Sequence, residues 1–223
     1  MEHRITTTAE PLRLENAWEW ISDWNRVKHH LSIRLVNVER SCQLLQTVPS
    51  VEFLDLRGVF YIPVEQSRDH TGYITIRNEL MIAWGQTSKA LRDQAITNMD
   101  HAEIQIVPLS SILQGLLSGS AELGVENASV PMYMLTGAKS DLFGAAFILS
   151  ETVRGQIGAR FGKDMFILPS SVHELLLVPT DQDVHNLLEI VKCVNRSAVQ
   201  PEDFLADHVF RYCAGDDSVE IAV

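Results

Sequence analysis

Between Asp164 and Pro179 the chain carries two apolar runs of four residues, 165–168 and 175–178, around the polar centre Pro-Ser-Ser-Val-His-Glu. Runs of that length match strands better than helices, and a break with proline and serine is turn chemistry. The segment therefore predicts two buried strands joined by a tight turn. In extended backbone Ser171 and His173 project to the same face, because side chains alternate with a period of two. A small site at that turn is the sharpest functional expectation the residues give.

The rest of the chain supplies strands and helices in alternation. Residues 11–29 read as a helix, with Pro11 in its first turn and Leu14, Ala17, Trp18 and Ile21 as its stripe. Residues 31–38 read as a strand and 39–46 as a short helix. Residues 53–62 read as one strand with a bulge or close backbone contact at Gly58, followed after a polar loop (65–71) by a strand at 72–76. Thr87 is placed to cap a helix over 88–99, and Ile104 starts a short strand. Ser110 or Ser111 can cap a brief helix through Leu117.

In the second half, 130–135 and 142–149 pair as a hairpin around 137–140. Ser150 caps a helix that Gly162 stops. Thr180 caps the next one, whose stripe is Val184, Leu187, Leu188, Val191 and Val194. A last strand falls at 209–212. Short strands bury an apolar face only when helices or another sheet cover it. The expected fold is α+β: a layered mixed or antiparallel sheet with packed helices and a β-β-α repeat pattern. Residues 1–117 and 130–223 form two subregions joined by a flexible linker or loop, 118–129, within what can be one compact domain.

Charge narrows the function. The chain is 223 residues long with a formal net charge of −11. From Asp164 onward there are eleven acidic and three basic side chains, a net of −8. Such a surface repels phosphate backbones, so direct nucleic-acid binding is disfavoured and a protein partner with a basic surface is favoured. Three cysteines without CxxC spacing give neither a disulfide framework nor a zinc site. The polar N-terminus and the lack of a membrane-length apolar run predict a cytoplasmic protein with no membrane partner.

Familiar motifs fail on inspection. Around Lys139-Ser140, Ala138 and Tyr133 occupy the glycine positions of a phosphate-binding loop. His173-Glu174 opens like a zinc-protease motif, but Leu177 stands where the second histidine belongs. No cofactor and no metal are expected. The enzyme alternative is a small hydrolase or transferase with Ser171 as nucleophile, His173 as base and Glu174 assisting; Asp55, Asp164 or Asp181 would orient the imidazole. The binding alternative uses Ser170, Ser171, His173 and Glu174 as a recognition surface. An acidic nucleic-acid mimic or phage-related inhibitor is the third reading.

Three segments carry a resemblance: Val36-Asn-Val-Glu-Arg40 with Val48-Pro49 and Phe53-Leu-Asp-Leu56; Met132-Tyr-Met-Leu135 with Gly144-Ala-Ala146; and the stretch from Ile167 to Pro179. On these, over most of residues 31–213, the chain resembles an uncharacterised family of bacterial proteins found chiefly in gut Clostridia and their relatives. The resemblance implies a shared domain and a chain abbreviated beside its relatives. It implies no activity and no catalytic residue. From residues and resemblance together, the expected role is a recognition or accessory protein.

Overall fold

The computed structural model describes residues 12–13, 17–67, 70–112, 130–137, 143–169 and 171–223. The expected linker 118–129, residues 138–140, Ser170 and the end of the brief helix at 113–117 lie outside them. The fold is α+β, with two sheets and helices packed on both. No helix among the described residues is long and apolar enough to cross a membrane.

The first sheet is built on one long strand, β4 (Leu56–Ser67). Its first half pairs antiparallel with β2 (Ser32–Asn37) on one side and β3 (Ser50–Phe53) on the other. Its second half pairs antiparallel with β5 (His70–Thr75), and β1 (Leu12–Arg13) adds a short parallel pair. The second sheet is antiparallel. It runs in the order β11 (Ser218–Ile221), β10 (Phe210–Cys213), β8 (Met165–Leu168), β9 (Leu175–Pro179), β7 (Tyr133–Gly137), β6 (Ile104–Pro108).

The two apolar runs are continuous because both of their faces are covered. Met165, Ile167, Leu175 and Leu177 point into the main core. Phe166, Leu168 and Val178 point the other way, where α7 (Val184–Ser197) lays Leu187 and Val191 over them. Strands buried on two faces lose the usual alternation. Each such aliphatic side chain contributes about 1.5–3 kcal/mol by leaving water. The main core continues into the first sheet, where Leu91, Ala95 and Met99 of α5 (Ser88–Asp100) share it with Ile33 and Phe60. Val153 and Ile157 of α6 (Glu151–Phe161) join the same cluster.

Several elements depart from the sequence reading. The helix expected over 11–29 is broken into α1 (Ala17–Ser22), α2 (Trp24–Val27) and a 3-10 turn at Lys28–His30. Asp23 causes the break, adopting extended backbone and accepting a bond from the Asn25 amide. The strand expected over 53–62 contains a turn at Leu54-Asp55, with Leu54 at φ 53°. Gly58 lies in regular pairing and packs against side chains: a Cβ there would sit 2.6 Å from the tip of Ile33, Cδ1. Of the polar stretch 65–71, read as a loop, residues 65–67 extend β4 and 70–71 extend β5, which pair as far as Ser67 and His70.

The strand expected over 142–149 is a 3-10 helix, Gly144–Leu149, entered through Phe143 at φ 60°. A Cβ on Gly144 would meet the His173 carbonyl at 2.4 Å, so this apolar segment is packed edge-on against a loop instead of pairing. The cap of α7 is Asp183, not Thr180, and β11 went unpredicted. Two further short helices are α3 (Cys42–Leu45) and α4 (Asn78–Ala83), and residues 109–112 are helical at the start of the expected brief helix.

Candidate functional site

The loop joining β8 to β9 is tied into its surroundings by backbone bonds. The Val172 amide donates to the Asp203 carbonyl (2.9 Å), and the Val172 carbonyl accepts from Ala145 (3.2 Å). The Ala206 amide reaches the Pro169 carbonyl at 3.2 Å. Ser171 is only 8% exposed and forms a bridge with Phe204. Its Oγ accepts the His173 amide at 3.1 Å, a local turn bond that serines favour.

The His173 imidazole lies with Nε2 3.2 Å from Asp203 Oδ1 and stacks on Phe143 at 5.7 Å between centroids. The Arg34 guanidinium sits over the same Phe143 ring at 5.0 Å, and its Nη1 donates to the Tyr73 hydroxyl at 3.2 Å. Glu174 is half-buried, and burial pushes its carboxyl above the usual range. Nearby His173 and a bond from the Ser171 hydroxyl pull it partly back, while the Asp203 charge raises it further. The loop thus brings Ser171, His173 and Glu174 together, with Asp203 as the acid beside the histidine. Ser170 lies outside the described residues.

The acids that sequence reasoning assigned to orient His173 are engaged elsewhere. Asp164 bonds to Arg211 and accepts the Ala214 amide at 2.9 Å; the Arg211 bond chiefly holds its carboxyl below the ordinary range. Asp181 lies 4.0 Å from Lys163. Asp55 Oδ2 meets His208 Nε2 at 2.7 Å.

That last pair stands in a cleft of about 590 Å³, a volume suited to a small ligand or a side chain. Three segments form its walls: the turn after β2 (residues 37–40), the Leu54-Asp55 turn with Arg57, and residues 204–208. Asn37 locks two of them, its Nδ2 donating to the Leu205 carbonyl at 2.8 Å while its Oδ1 accepts the Arg40 amide at 3.0 Å. The Arg40 guanidinium covers the Phe204 ring at 3.6 Å. Arg57 pairs with Glu52 at 2.9 Å. Asp55 Oδ1 is buried and has no hydrogen-bond partner among the described residues.

Sequence reasoning singled out Asp55 as an acid inside an apolar run but did not find His208, which is 153 positions away. No local pattern announces such a pair. A carboxylate bonded to an imidazole can bind a cation or polarise a donor group. Among the described residues lining the cleft there is no serine, threonine, cysteine, lysine or tyrosine.

A model of a family of unknown function (DUF5688) matches residues 3–214. No curated protein and no solved structure matches the chain.

Proposed function

The chain belongs to that family of unknown function, DUF5688, and we propose that it is a bacterial, cytoplasmic recognition or accessory protein whose partner is a protein with a basic surface. The observation that carries this reading is the state of Ser171. It is buried, and its oxygen accepts the His173 amide within the turn, so Ser171 serves to hold the backbone that carries His173 and Glu174. A nucleophile needs a reachable oxygen beside its base. The acidic excess from Asp164 onward supplies the long-range attraction.

Capture of partners from the native cells, followed by binding with purified components, tests the proposal. A reproducible protein partner is expected, with affinity that falls as salt rises, since exposed charges are screened beyond about 10 Å at 0.1 M. The absence of any reproducible partner at low salt counts against it. Competition by DNA for the captured partner would assign the acidic surface to nucleic-acid mimicry. Turnover in a broad substrate screen, abolished by S171A or H173A, would favour the hydrolase reading.

A further inference from the structure

We propose that the cleft around Asp55 and His208 is a seat for a cationic side chain, an arginine of a partner polypeptide, with the Asp55 carboxylate as its acceptor. This deepens the recognition reading and rests on it for the polypeptide source. The Asp55 carboxylate is one donor short: His208 serves Oδ2, and Oδ1 has no partner among the described residues. A buried acceptor without a donor is costly, and a carboxylate can take a planar pair of N–H groups. Oδ1 itself is shielded from solvent, so a ligand donor reaches the carboxylate through the second lone pair of Oδ2, beside His208.

The walls suit a guanidinium. Two further carboxylates, Glu39 and Asp207, are exposed at the rim, against two lining arginines. Both arginines are already occupied: Arg57 by Glu52, and Arg40 by the Phe204 ring and the Pro201 carbonyl. The lining carries three carboxylates (Glu39, Asp55 and Asp207) against two guanidinium groups. Val38 and Leu54 add apolar wall for the aliphatic stem of the incoming side chain. Arginine fits better than lysine because its five donors lie in one plane and its cation is weakly hydrated.

The test uses the full chain, labelled with nitrogen-15, and three short capped peptides that differ only in a central arginine, lysine or citrulline. The arginine peptide is expected to bind saturably and to shift the amides of Leu54, Asp55 and residues 204–208. The lysine peptide should bind more weakly and the citrulline peptide should not bind. Asp55→Asn, which removes the charge and keeps the shape, should lower affinity about ten- to hundred-fold. Glu189→Gln, on the outer helix away from the cleft, should leave it within about twofold.

No binding of the arginine peptide, equal binding of the citrulline or lysine peptide, or shifts confined to other surfaces would overturn the assignment. So would unchanged affinity in D55N. The wild-type shift map decides the matter even if D55N does not fold. A captured partner that binds D55N undiminished removes the cleft as the seat while leaving recognition standing. Peptide binding in the cleft without any cellular partner removes the recognition reading instead.

Discussion

Glu174 is the residue at which the loop's construction has a measurable cost. Burial raises its carboxyl above the ordinary 4.5, so the folded protein holds the proton more tightly than the unfolded chain does. The sign follows from linkage. Below 4.5 both states are protonated and stability is unaffected. As pH rises from there through the raised folded value, the unfolded state ionises first and folding weakens; above that value the penalty is complete. Glu174→Gln imitates the protonated form, so it should melt higher than wild type at pH 7 and within error of it at pH 4. A lower melting temperature for E174Q at pH 7 would mean that the bonds from Ser171 and the pairing with His173 outweigh burial.

Helices were legible where their caps are local and misplaced where two cap residues compete. Thr87 and Ser150 each accept from an amide three residues on, and both helices lie where those residues predict them. Before α7 the sequence offers Thr180 and Asp183. The structure uses Asp183, which accepts the His185 amide at 2.9 Å, while the Thr180 hydroxyl donates to the Asp164 carbonyl at 3.3 Å. Loss of a cap costs about 1 kcal/mol. Asp183→Ala should therefore lower the unfolding free energy measured by denaturant titration by that amount, and Thr180→Ala by less, since it removes one half-exposed bond. Equal losses, or a larger loss at Thr180, would contradict the assignment of the cap. The strands expected at 31–38, 165–168, 175–178 and 209–212 are present. Two apolar stretches misled for a different reason: the apolar content of 142–149 and 53–62 marks burial, and burial alone does not separate a strand from a 3-10 segment or a hairpin. The cleft was illegible because it is made by tertiary contact between a turn near residue 55 and a segment near residue 208.

At the scale of the whole molecule, one hydrophobic cluster joins Ile33 and Phe60 of the first sheet to Ile167 and Leu177 of the second. The strand β6 comes from before the expected linker yet pairs with β7 from after it. Packing of this kind couples the stability of the two sheets. All four tryptophans, at positions 18, 20, 24 and 84, lie in the N-terminal part of the chain, so their fluorescence reports on the side of the first sheet. Ile167 is fully buried on β8, far along the sequence from every one of them. Ile167→Ala should cost about 2–5 kcal/mol through lost burial and the cavity left behind. If the two sheets unfold together, that loss must lower the tryptophan fluorescence midpoint and the far-ultraviolet dichroism midpoint by the same amount. A fluorescence transition that stays in place while the dichroism transition moves or splits would show that the first sheet unfolds on its own.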